Sequence, residues 1–183
     1  MARPRRIDRD AILAASLDVA DAVGVDRLTM QAVAERLGVT PMALYRHVAD
    51  KADLLDGVVE RLLGEIEPPD ESLPPAEQLT AIGQAVRRLA RRHPTVFPLL
   101  LQRPATTPAA RRARDTVVEL LGAMGVPDDR VAQGERVIST LILGFAASEA
   151  AGRFRRHTRK QIDADYALVE ATVTHLIADL AAP

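Results

Sequence analysis

From Asp8 to Val23 the apolar residues fall at Ile12, Leu13, Leu17, Ala20 and Val23, three or four apart. That period gathers them on one stripe of a helix, whereas a strand would scatter them over both of its faces. The same spacing returns through most of the chain, interrupted at glycines and prolines that mark helix ends. Aromatic residues make up only 3% of the chain and β-rich runs are missing, so little in the sequence favours a sheet. The fold class that follows is all-α. With 183 residues, 48% of them apolar, there is enough material for a core in one or two lobes.

Punctuation divides the pattern. Gly24 ends the first helix, and Thr29 caps a short second one, "MQAVAERL", with Val33 and Leu37 facing inward and Ala34 small enough for a close crossing. Gly38 stops that helix. Thr40 and Pro41 then form an N-cap and first-position pair for a third helix over about 40–48. Asp50 caps a fourth helix that opens at Lys51, carries Asp53 in its first turn and continues through Leu54, Leu55, Val58, Val59, Leu62 and Leu63. A linker rich in proline and acid follows at about 67–75. Helical patterns then run over about 76–92, 94–101, 108–124, 128–152 and 163–181. This organisation predicts a helix-turn-helix domain over 1–50, a connecting helix over 51–66 and a helical domain over 67–183.

Two short helices joined by "GVT" fit a helix-turn-helix, in which the first supports and the second enters a major groove. Leu44 and Val48, four apart, anchor the second helix to the core. Met42, Tyr45 and Arg46 share much of the opposite side, flanked by Pro41, Ala43 and His47. Arg46 is equipped to read guanine or grip phosphate, Tyr45 and Thr40 to donate to phosphate oxygens, and Met42 or Ala43 to meet a thymine methyl. Lys51 offers a charge together with the N–H groups of a helix start. Two of these residues also have a purely structural reading: Tyr45 packing its ring on the first helix, and His47 solvated at a helix end. Upstream, "ARPRR" with Arg9 is either a basic arm for DNA or a solvated terminus.

The segment from about residue 7 to 63 resembles the DNA-binding domain of TetR-family transcriptional regulators, on "LTMQAVAERLGVTPMALYRHV" followed by "DKADLL". The resemblance implies a homodimeric regulator, mostly a repressor in relatives, on a roughly palindromic double-stranded DNA operator. It also implies that Met30, Gln31, Thr40, Pro41, Met42, Tyr45, Arg46, His47 and Lys51 contact the DNA. Many relatives carry serine or glycine around positions 41–43 and an aromatic at the position of Arg46, so the operator does not transfer from them.

For the rest of the chain the resemblance implies a helical lobe that dimerises and holds a small-molecule effector. The residues lend independent support. Val137, Leu141, Gly144, Ala147, Ser148 and Ala151 recur at three and four, as do Val169, Val173, Leu176, Ile177 and Leu180. Two such stripes from each of two subunits would close a four-helix bundle, or both would pack inside one subunit. "HPTVFPLLLQRPATTP" mixes apolar and polar groups in the manner of a concave site. The candidate effector pocket there is Phe97, Leu101, Gln102, Arg103 and Thr106, faced by Phe145, Ser148 and Glu149; the alternative for Phe97, Leu101 and Phe145 is plain core.

Net charge is only -1, so any DNA contact must be local. The groups at 87–93 and 153–160 read as solvated basic clusters. Four separated histidines and no cysteine offer neither a metal site nor a cofactor, and there is no Gly-rich phosphate loop and no G-x-S-x-G. An enzyme is therefore disfavoured, and a helical adaptor is the other competitor. No apolar run of membrane length and no signal peptide is visible, which points to a cytoplasmic protein.

Overall fold

The computed structural model describes residues 7–103 and 106–182, and among these every regular element is helical. The "ARPRR" run lies outside the described residues. The helices are α1 (Arg9–Val23), α2 (Met30–Leu37), α3 (Pro41–Leu44), α4 (Lys51–Leu63), α5 (Pro75–Arg92), α6 (Leu99–Gln102), α7 (Pro108–Ala123), α8 (Asp128–Ala150) and α9 (Arg159–Ala181).

Their ends follow from local chemistry. Asp8 accepts from the Ala11 N–H at 2.8 Å, Thr29 from Ala32 at 3.1 Å and Asp50 from Asp53 at 2.9 Å, each satisfying a donor that the helix start leaves open. Gly38, at φ +69°, takes the left-handed turn that lets the chain swing from α2 into α3.

Three expected boundaries differ by more than two residues. The third helix stops at Leu44 rather than near 48, because the N–H groups of His47 and Val48 both turn back to the Leu44 carbonyl at 2.8 and 3.0 Å. Arg9 then takes up the His47 carbonyl at 2.8 Å. Between 94 and 101 the chain runs in turns and forms only the four-residue α6, since Pro94 and Pro98 each remove a helix donor. α9 begins at Arg159 instead of 163, on a capping box between Thr158 and Gln161.

The first lobe buries Ile12, Leu28, Val33, Leu44, Val48, Leu54 and Val58 where α1 crosses α2 and α4. Full burial of such side chains stabilises by about 2 kcal/mol each. Gly57 makes the α1–α4 crossing close, for a Cβ there would run into Leu13 Cδ2. The second lobe packs α5, α7, α8 and α9 around Leu79, Leu89, Phe97, Leu121 and Ile138.

α4 joins the two lobes. Its Glu60 accepts from the Ala109 N–H at 2.7 Å, at the start of α7, and its Asp56 accepts from Arg103 Nε. At the far end of α1, His93 sets Nδ1 2.6 Å from Asp21 and Nε2 3.1 Å from Glu65, while Thr95 Oγ1 donates to the Ala20 carbonyl at 3.1 Å.

Candidate nucleic-acid interface

Around α3 the inward residues are Leu44 and Val48, both buried, and the outward ones stand clear of the protein. Met42 is 72% and Tyr45 50% exposed, which large hydrophobic side chains in a folded chain seldom are without a reason. Tyr45 therefore does not pack into the core. Thr40 occupies the N-cap position of α3 but makes no cap hydrogen bond with its side chain. Arg46, His47 and Lys51 are exposed, and no ion pair among the described residues engages them. Pro41 is half-buried at the first position of α3. At the start of α2, Met30 packs partly against the core, and Gln31 donates along its own helix to Glu35 at 2.7 Å.

Arg9 is not a free arm. Its guanidinium donates to both Asp53 oxygens, at 2.5 and 3.1 Å, as well as to the His47 carbonyl. The Arg9 hydrogen bond, reinforced by the Ala49 N–H and working against burial, holds the Asp53 carboxyl below its ordinary range. The pair fastens the start of α1 to the start of α4, leaving Lys51 as the projecting cation at the α4 N-terminus.

The eight candidate pocket residues do not gather around one cavity. Phe97 is fully buried core, Leu101, Gln102 and Thr106 are exposed, and Arg103 is tied to Asp56. Pro94 and Pro98 break the segment into turns before the short α6, so Phe97 and Leu101 do not share one helix face. A cleft does open between α5, α8 and α9, lined by Leu79, Gly83, Ile142, Tyr166, Glu170 and Val173 among others, and by none of the eight. Phe145 and Glu149 stand next to it. The Phe145 ring lies 5.3 Å from that of Tyr166, Glu149 binds Arg87 and Arg91, and Ser148 sits half-buried beside them on α8.

The basic group at 87–93 is only partly solvated. Arg87 and His93 are buried, and Arg87 bridges Glu149 at 2.7 Å and Asp163 at 2.8 Å. Burial alone would push the Glu149 carboxyl up, but hydrogen bonds from Arg87 and Arg91 outweigh it and bring it below its ordinary range. The sequence did carry a sign of this burial, since Arg87 falls four residues after Gly83 and three before Ala90, on the inward face. By contrast Arg153, Arg155, Arg156 and Lys160 are exposed.

The two candidate interface stripes divide between inside and outside. On α8, Val137 is 47% exposed, Leu141 and Ser148 are half-buried, and a Cβ on Gly144 would meet no atom within 4 Å, while Ala151, at the C-cap just beyond, is exposed. Ala147 is buried in the subunit's own core. On α9 the expected stripe faces inward: Val173 and Ile177 are buried, Val169 and Leu176 half-buried, and Leu180 packs beside Gly134. The outward row is instead Ala164, Leu168, Ala171, His175 and Ala178, with Leu168 69% exposed. Because α9 begins at Arg159, Ile162 and Tyr166 open its inner face ahead of Val169. Among the described residues no three His, Asp or Glu side chains gather as metal ligands, and no helix is long and apolar enough to cross a membrane.

Residues 12–58 match the family described as bacterial regulatory proteins, tetR family, and residues 79–176 match the tetracyclin repressor-like C-terminal domain. The chain is 31% identical over 148 residues to the HTH-type transcriptional repressor DrrR1 of Streptomyces coeruleorubidus, covering 76% of this chain and 53% of that protein. It is 30% identical over 148 residues to an HTH-type transcriptional regulator of Saccharopolyspora erythraea, covering 80% and 63%. The chain thus spans about half to two thirds of the length of these relatives. Among solved structures, BioQ with its double-stranded DNA operator superposes with a TM-score of 0.77 at 26% identity, covering 97% of this chain and 100% of that one. A TetR variant from Acinetobacter baumannii AYE in complex with minocycline superposes with a TM-score of 0.77 at 26% identity, covering 95% and 96%.

Proposed function

The chain belongs to the tetR family of bacterial regulatory proteins, and from that premise we propose that it is a homodimeric, cytoplasmic repressor that grips a palindromic operator and releases it when a small molecule occupies its second lobe. The observation that carries this reading is the row Thr40, Met42, Tyr45, Arg46, His47 and Lys51, exposed on one side of α3 and the start of α4. It combines phosphate donors, a base-reading guanidinium and an apolar surface for thymine methyls. Pro41 shapes the start of that surface, and Met30 and Gln31 border it. Residues 1–50 form the DNA-binding domain in this proposal, 51–66 the connecting helix and 67–183 the effector and dimer lobe.

Two reading heads in a twofold dimer meet successive major grooves when they stand about 34 to 36 Å apart. The outward faces of α8 and α9, with Val137, Gly144, Ala151 and Leu168, supply the contact that would set this separation. The lever is α4. It begins at Lys51 beside the DNA, and through Asp56 and Glu60 it is bonded to Arg103 and to the start of α7. An effector that favours one arrangement of the second lobe moves α4, and with it the spacing of the heads.

Selection from a random duplex pool with the purified chain, at near-physiological salt, tests the reading. The expected product is an inverted repeat with half-sites about one helical turn apart. A folded, dimeric chain that enriches no sequence would defeat it.

A further inference from the structure

The cleft between α5, α8 and α9 is open to solvent and offers about 60 Å³, with Leu79, Ile142 and Val173 as apolar walls. Tyr166 is only 3% exposed, yet its hydroxyl lines the cleft and makes no hydrogen bond to the described residues. The oxygen itself is not sealed off, for the buried side-chain atom left without a partner among the described residues is Asp21 Oδ1, so the Tyr166 hydroxyl opens onto the cleft and is free to meet an incoming group or water. Gly83 is what admits it, for a Cβ at that position would stand 3.0 Å from the Tyr166 oxygen.

The face of the ring is already taken, with the Arg87 guanidinium 4.4 Å from its centroid. The hydroxyl edge is therefore what the cleft presents. Arg87 and Arg91 are in turn neutralised by Glu149 and Asp163. Glu170, one turn after Tyr166 on the same face of α9, takes only the neutral amide of Gln84, at 3.1 Å. It is the one charged side chain in the lining, which contains no Lys, Arg or His. Burial first, and then the charge of Glu170, push the Tyr166 hydroxyl up to about 12, so the phenol stays neutral and can both donate and accept. An anion would meet repulsion here, and a neutral molecule would gain nothing from the charge of a half-exposed carboxylate that holds only the Gln84 amide. A cation satisfies both polar groups at once.

We propose that this cleft is the effector site and that it takes a small protonated amine with an apolar tail, the ammonium seated between the Glu170 carboxylate and the Tyr166 hydroxyl. The assignment rests on the regulatory reading above. The tail lies against Leu79, Ile142 and Val173, and the site's position between three helices of the second lobe lets its occupancy bear on their packing.

Calorimetric titration of the full chain at neutral pH with hexylamine, hexan-1-ol and hexanoate varies the head group over one tail. Hexylamine is expected to bind about three- to fivefold tighter than the alcohol, with hexanoate weakest, as a charge pair at a half-exposed carboxylate implies. Glu170→Gln, an isosteric change at a half-exposed position, removes that preference. Tyr166→Phe weakens the amine and the alcohol alike. The proposal is overturned if none of the three binds, if the alcohol or the acid binds as well as the amine, or if the preference survives Glu170→Gln.

Operator affinity is read separately, by anisotropy of a labelled duplex taken from the selection. Amine binding that leaves operator affinity unchanged overturns the effector role while keeping the cation site. A chain that never selects a duplex overturns the regulatory reading, and the titration still decides the cleft.

Discussion

Residue identity decides most at α3 and least in the second lobe. Thr29, Asp50 and Gly38 were legible as cap and stop because their chemistry acts on the backbone within three residues. Tyr166 and Glu170 were not, since what makes them notable is a packing arrangement among three helices far apart in sequence. At the reading head, Tyr45 leaves half of its surface to solvent and takes no part in the core. Replacing it with alanine is therefore expected to leave the melting temperature unchanged while weakening operator binding by about five- to tenfold, the worth of one hydroxyl-to-phosphate hydrogen bond. Anisotropy titrations at matched salt check this, and equal affinities would take Tyr45 out of the interface. Asp53 works on the opposite side of the balance. Its carboxyl is held below the ordinary range by Arg9, so the stability it contributes is present at neutral pH and is lost as the pH falls through the acid range. Asp53→Asn is expected to cost about 1 kcal/mol at pH 7, a modest value because the pair is partly exposed. Urea unfolding should show the gap between the two proteins closing as the pH falls below the ordinary carboxylate range, whereas a gap that ignores pH would mean the Arg9 pair is not its source.

Elements were legible wherever a helix had one clean apolar face and lost definition where prolines or caps intervened. α2 and α4 sit where their caps put them, whereas the helix expected over 94–101 dissolved into turns between Pro94 and Pro98. Spacing marked Arg87 as a candidate for burial only in hindsight. The deciding partners, Glu149 and Asp163, lie on α8 and α9. The same limit applies to Gly57, which in sequence is a weak point inside a helix and in the fold is the place where α1 seats Leu13 against α4. Alanine has the better helix propensity, by about 1 kcal/mol. Gly57→Ala is nevertheless expected to destabilise the chain by about 1 to 3 kcal/mol, because the added methyl forces Leu13 out of a filled core. Thermal and urea unfolding measure the net sign. A more stable variant would show that Leu13 relaxes freely and that the crossing is not tight.

The all-α architecture of the whole molecule could be read from periodicity and composition, since both are averages over many residues. Which face of α8 and α9 looks outward could not, because each helix is apolar on more than one side. In the folded chain Val173 and Ile177 complete the subunit's own core. This leaves Ala164, Leu168, Ala171, His175 and Ala178 spaced four, three, four and three along the outside of α9. That is the spacing of a helix seam, made of small residues around one leucine, and on α8, which packs against α9, a Cβ on Gly144 would likewise stand in open space. If this seam closes the dimer, Leu168 is its most exposed apolar anchor in the free subunit. Leu168→Glu would then bury two like carboxylates across a twofold axis, and the expected result is a monomer at micromolar concentration that keeps its helical content. Operator affinity should fall by about a hundredfold or more, since each head is left to bind a half-site alone. Sedimentation with and without operator duplex separates the cases. A variant that still sediments as a dimer would move the interface off α9, and a monomer that holds the full operator as tightly as the parent would show that pairing of the heads does not depend on this seam.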